Sequence, residues 1–230
     1  MSHEIIITNK ETMYYPVVEE GITWETERKG SPGKVTFKIY KDSVLNIEEG
    51  NSVSIKKDGQ NVFFGFIFTF KIDKEGFYNI TAYDQLRYFK NKDTYYYVNK
   101  KANEMLKELA VMFNLNVGIL DDTEYIIPKR LEEDKTLFDM VQNALDFTLQ
   151  NKKKIYVLYD DFGKLTLKNI ENMKINILID EETAENYSYT SSIDSNTYNQ
   201  IKLTYDNEDT GKRDVYISKD SGNINKWEIG

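Results

Sequence analysis

Hydrolytic and metal chemistry depend on a few side-chain types, and this chain is short of most of them. It has a single histidine, His3, and no cysteine. His3 lies at a terminus, where frayed chain or a tag remnant is the ordinary expectation, so a Ser-His-Asp triad or a histidine metal cluster cannot be assembled within one subunit. The missing cysteines exclude disulfides, thiolate metal sites, cysteine nucleophiles and iron–sulfur ligation together. Carboxylates are plentiful, as Asp121-Asp122, Glu132-Glu133-Asp134, Asp160-Asp161 and Glu181-Glu182. Paired acids are necessary for glycoside hydrolysis and for oxygen-ligated metals, but sequence neighbours on a strand point apart or share a solvated turn. Asp160-Asp161-Phe162-Gly163 contains an Asp-Phe-Gly triplet without the other kinase motifs, and Gly30-Ser31-Pro32-Gly33 lacks the Lys-Ser/Thr of a phosphate loop. No catalytic, cofactor-binding or metal residue is therefore assigned, and the chain is expected not to be an enzyme.

Aromatic residues are the other excess, with 17 Tyr and 12 Phe. Trp24, Tyr95, Tyr96, Tyr97 and Trp227 are candidates for a sugar-stacking platform; as strand or subunit-interface residues they need no ligand. A net charge of -8 opposes the basic footprint of a phosphate-gripping protein, so direct nucleic-acid binding is not expected. The lysines at 100–101 and 152–154 lie beside predicted helix ends, where solvated cations complement the dipole or simply keep a surface soluble. No apolar run approaches the ~20 residues that cross a bilayer, and Met1-Ser2-His3-Glu4 does not open a secretory signal, which reads as synthesis in the cytoplasm.

The elements that position these residues follow from apolar period. Up to about residue 84 the period is two. In 34–40, Val35, Phe37 and Ile39 share a face; in 51–57, Val53 and Ile55 do; Asp58-Gly59 then supplies a turn. Residues 62–72 alternate through Val62, Phe64, Phe66, Phe68, Phe70 and Ile72, and a turn at 74–76 leads into 77–83. The period becomes 3.6 at 99–115, with Ala102, Met105, Leu106, Leu109, Ala110 and Phe113, and again at 136–151, where Thr136 and Asp139 make a variant capping box. Short strands are expected at 117–120 and 125–127, and a hairpin at 154–168. Further strands are expected at 173–179, 187–190, 196–205 and 212–218. The fold class is α+β, mainly β: an N-terminal β-barrel at 1–92, an α/β segment with two helices at 93–170, and a second β-rich region at 171–230.

Four stretches carry a family resemblance. Gly30-Ser31-Pro32-Gly33-Lys34-Val35-Thr36-Phe37, then Gly50-Asn51-Ser52-Val53, then Val62-Phe63-Phe64-Gly65-Phe66-Ile67-Phe68 resemble the first barrel of the XkdQ-type tail proteins, the late control protein D-like hub family of contractile tails. Tyr83-Asp84-Gln85-Leu86-Arg87-Tyr88-Phe89 is similar to that family's exit from the barrel. The resemblance implies two small tube-like barrels with α/β segments between them, and a homotrimer whose six barrels ring a channel between the tail tube protein and the central spike. It implies a baseplate position in a phage or bacteriocin-like particle assembled in the bacterial cytoplasm, with no cofactor. Family members usually run on past the point where this sequence stops, so either a truncated chain, with a truncated second barrel, or a short variant is expected. A tail-associated cell-wall lysin and a glycan-binding module are the alternative functions.

One interface assignment follows from the long strand. If Phe64, Phe66, Phe68 and Phe70 fill the barrel, then Phe63 and Ile67 point outward, flanking Gly65, and need a neighbouring barrel to cover them. Phe63, Gly65 and Ile67 are accordingly the expected interdomain or intersubunit contact.

Overall fold

A computed structural model describes residues 3–19, 21–178, 180, 190, 192 and 198–227, the side chains of 225 and 227 aside. The chain divides into two compact units, Met1–Ile175 and Asn176–Gly230.

The first unit opens with seven strands: β1 His3–Asn9, β2 Thr12–Tyr14, β3 Thr23–Glu25, β4 Lys34–Tyr40, β5 Ser52–Lys57, β6 Gln60–Ile72 and β7 Phe77–Tyr83. They form one sheet in the order β2-β1-β5-β6-β7-β4-β3. Its two edges are joined by a single bent stretch of chain. After pairing with β1 through β2, the chain runs on so that the Glu19 amide donates to the Lys38 carbonyl (2.9 Å) and the Tyr40 amide to the Val17 carbonyl (3.0 Å), both on β4. The sheet thereby wraps into a barrel around Ile5, Ile7, Val35, Phe37, Ile39, Val53, Ile55 and Ile80. The period-two residues of β4 and β5 lie in that core, as alternation requires.

β6 reverses the expected faces. Phe63 and Ile67 are core residues, 3% and 1% exposed, and Gly65 is buried between them. Phe64, Phe66 and Phe68 are the half-buried outward set. Register decides this: Phe63 sits opposite Ile55, Gly65 opposite Val53 and Ile67 opposite Ala82, all inward residues. Directly opposed residues share a face. A β-bulge after Ile67 then inserts Phe68 and shifts the phase, so that Phe70 faces inward opposite Ile80. The interface assignment of Phe63, Gly65 and Ile67 is thus corrected, since inward-facing core residues cannot cover a neighbour.

A short 3-10 helix, Gln85–Lys90, leads out of the barrel. There follow β8 Lys92–Lys100, α1 Ala102–Met112, β9 Val117–Leu120, β10 Ile127–Thr136, α2 Leu137–Lys152, β11 Tyr156–Asp160 and β12 Leu165–Asn169. β12 pairs antiparallel with β11 and parallel with β9. β8 and β10 form a separate antiparallel ribbon. The apolar stripes predicted for the helices meet in a second core: Met105, Leu106 and Leu109 of α1 and Leu137, Met140 and Val141 of α2 pack with Phe89, Tyr97, Ile127, Leu165 and Leu167. Thr136 caps α2, its hydroxyl accepting from the Asp139 amide at 3.1 Å, and Lys153 at φ +58° ends it.

The second unit contributes β13 Gln200–Asn207, β14 Lys212–Lys219 and α3 Ser221–Trp227. β13 and β14 form an antiparallel hairpin that exposes Ile201, Leu203 and Tyr205 on one strand and Val215, Tyr216 and Ile217 on the other. Residues 174–178, expected to be extended, follow a 3-10 turn and form no strand. The strand expected at 187–190 lies, but for its last residue, outside the described residues.

Candidate functional site

The site is built where the barrel meets the α/β part of the first unit, and two consecutive residues make the joint. Asp84 leaves β7 and is only 5% exposed. Its Oδ2 accepts from the Gly33 amide (2.8 Å) at the start of β4, and its Oδ1 from the Leu86 amide (3.0 Å), capping the 3-10 helix. Gln85 faces the other way. Its Oε1 accepts from the Asn116 amide (3.0 Å), while its Nε2 donates to the Asn116 carbonyl (3.2 Å) and to Asp160 Oδ2 (2.9 Å). Asp160 Oδ1 accepts from the Gly163 amide (2.6 Å), closing the β11–β12 turn.

Beside this joint lies a cleft of about 550 Å3, with Trp24, Phe64, Leu158 and Phe162 among its walls and Asp84 and Asp160 within it. Phe64 projects from the outer face of β6 to within 5.8 Å of the Phe162 ring and 5.7 Å of Phe66. An outward apolar face does need cover, but the covered residues are Phe64, Phe66 and Phe68. Farther along, Phe68 meets the Tyr83 ring edge-on at 5.5 Å, and the Arg87 guanidinium lies 5.4 Å from the Phe68 ring. Burial, reinforced by the neighbouring Asp160 charge, pushes Asp84 up to about 7, against the two amide bonds that favour its ionised form. Burial also raises Asp160.

The other candidates are dispersed. Asp121 accepts from the Asn169 amide, Asp122 pairs with Lys101, and Asp134 pairs with Lys92. Glu132 is 1% exposed, bonded to Arg130 Nε (3.0 Å) and Asn143 Nδ2 (2.9 Å). Glu181-Glu182 lies outside the described residues. Among the described residues, no three His, Asp or Glu side chains converge as metal ligands do. The aromatic candidates also separate. Tyr95 and Tyr97 stack on the inner face of β8, with the Tyr95 hydroxyl on Glu108, whereas Tyr96 points to the opposite face. Trp24 stands on β3, 51% exposed, at the cleft, and the Trp227 side chain is outside the described set. Sequence reasoning missed Asp84 and Gln85 as a joint; the signal was the Tyr-Asp-Gln-Leu-Arg-Tyr-Phe exit motif, whose members cap, clamp, stack and fill the second core.

The family model described as YQBQ-like matches residues 22–229. The chain belongs to that family. Across 96% of this YQBQ-like chain, a curated relative described as the uncharacterized protein YqbQ of Bacillus subtilis (strain 168) is 30% identical, over 68% of its own length. The phage-like element PBSX protein XkdQ of the same organism is 26% identical over 96% of this chain and 69% of that one. Among solved structures, a tail protein from Neisseria meningitidis MC58 superposes over 96% of this chain and 68% of its own with a TM-score of 0.68 at 12% identity, a likeness of fold.

Proposed function

We propose that this chain is a structural component of a phage tail or phage-tail-like particle, placed in the baseplate hub, where a ring of subunits joins the tail tube to the central spike. The observation that carries the reading is breadth of fold: barrel, α/β part and C-terminal unit together share their course with a tail protein over 96% of the chain, and a relative over the same span is a phage-like element protein. In this reading residues 1–92 supply one tube-like barrel, 93–170 brace it, and 171–230 supply the second β-rich region. Three subunits, each contributing two such regions, would match a six-fold tube, with the tube protein, the spike and other baseplate proteins as partners. The role needs no catalysis: each oxygen of Asp84 and Asp160 holds a turn or a linker. No helix among the described residues is long and apolar enough to cross a membrane.

The test is to express the chain with an epitope label alongside its tail genes and image the particles. Label at the spike-proximal end of the tube, with three copies per particle, is expected. Label spread along the tube, or absent from intact particles, would overturn the hub assignment.

A further inference from the structure

The cleft beside the joint is unexplained by a purely architectural role. Its volume, about 550 Å3, falls within the ~300–1,000 Å3 of small-ligand sites. Four carboxylates line it, Glu27, Asp84, Asp160 and Asp161, against one cation, Arg28. Neither Asp84 nor Asp160 takes part in an ion pair among the described residues. Each of their oxygens uses one acceptor site on a backbone amide or on Gln85, and an ionised carboxylate offers about four such sites. Acceptor capacity therefore remains, on carboxyl groups that burial makes slow to ionise without a cation beside them. The walls are aromatic, with the Trp24 indole half exposed and Phe64 against Phe162.

We propose that this cleft receives an arginine side chain presented by a partner protein. A guanidinium satisfies both demands: its planar face stacks on aromatic rings, and its forked N–H groups reach two carboxylates together. An ammonium is a compact, strongly hydrated charge that uses the aromatic walls less well. Burial pushes the Asp84 carboxyl up to about 7, so an arriving cation displaces the proton it still carries below that pH and binds more tightly at pH 8 than at pH 6. Asp160 and Asp161 on the β11–β12 turn and Glu27 and Arg28 on the loop after β3 face the same space. That the partner is another tail protein rests on the function proposed above; recognition of a guanidinium does not.

The experiment titrates the full chain with N-acetyl-arginine amide and follows the Trp24 indole N–H by NMR, with Trp227→Phe leaving a single indole signal. A saturable shift is expected, absent with the neutral N-acetyl-citrulline amide and weaker with N-acetyl-lysine amide. By calorimetry, Asp161→Asn and Trp24→Ala, both changes at exposed side chains, should weaken binding about three- to tenfold, the loss of part of a charge-assisted or cation–π contact. No saturable response up to about 50 mM, a generous bound for a single side chain, would overturn the proposal. So would equal responses to arginine, lysine and citrulline, or full affinity in both variants. A particle lacking the chain at its spike end would leave this titration unaffected, so the two readings fail separately.

Discussion

Replacing Gly65 with alanine puts a methyl group into the tightest contact of the barrel. A Cβ at this position would lie 2.3 Å from the Tyr83 carbonyl oxygen, 2.7 Å from its carbonyl carbon and 2.6 Å from Phe63 Cζ. Ordinary contact begins near 3.4 Å, so the methyl is about 1 Å too close to a backbone that cannot rotate away. Relief requires β6 and β7 to part where Phe66 pairs with Tyr83, or Phe63 to leave its place in the core. Overpacking of this kind costs about 1–3 kcal/mol, and a backbone neighbour puts it at the upper end. For a unit of this size each kcal/mol moves the midpoint by roughly 2–4 °C, so Gly65→Ala should melt about 6–12 °C below the parent. Gly76→Ala is the control. Its φ of +86° makes alanine unfavourable, but no atom lies within 4 Å of the added carbon, so a loss of about 1–2 kcal/mol is expected. Thermal melts by circular dichroism decide between them. A Gly65→Ala protein that melts with the parent would refute the inward placement of this face.

The same inversion predicts that Phe63→Ala, which empties a core site, costs about 3–5 kcal/mol, whereas Phe66→Ala on the half-buried outer face costs clearly less, as chemical denaturation would show. Asp84 ionises near 3.8 in the unfolded chain and near 7 in the folded one; between those values the folded state binds the extra proton. Its contribution should therefore weaken stability as pH rises from about 4 to 7 and level off above. Denaturant midpoints for Asp84→Asn should lose that slope, whatever the variant's overall stability; an unchanged slope would refute it. Zymography on cell walls should show no clearing; clearing lost with Asp160→Ala or Glu133→Ala would instead point to a lysin.

Elements were legible where one period dominated. β4, β5, α1 and α2 declared themselves by alternation or by a 3.6-residue stripe, and Thr136 marked the start of α2. β6 was legible as a strand but not by face, because apolar residues occupy both sides and two bulges change the phase within it. β10 was legible only at its start. Its run from Lys129 to Lys135 looks like a solvated charge stretch, and only pairing with β8 and the Arg130 and Asn143 contacts of buried Glu132 make it a strand. The joint was hidden for another reason: Asp84 and Gln85 act on Gly33, Asn116 and Asp160, partners 31 to 75 residues away.

The bent stretch that joins the barrel's edges also sets an order of events during synthesis. Every barrel strand lies within residues 3–83, so the ring can shut as soon as β7 emerges from the ribosome, before either helix has emerged. The α/β part cannot do the same. Its parallel pair, β9 with β12, spans a crossover that contains β10, α2 and β11, and such non-local pairing is slow to form. A released fragment ending at residue 90 should already carry a protease-resistant barrel in which β1, β4, β5, β6 and β7 are each paired on both sides, leaving only the three-residue β2 and β3 as edges to recruit a neighbouring chain.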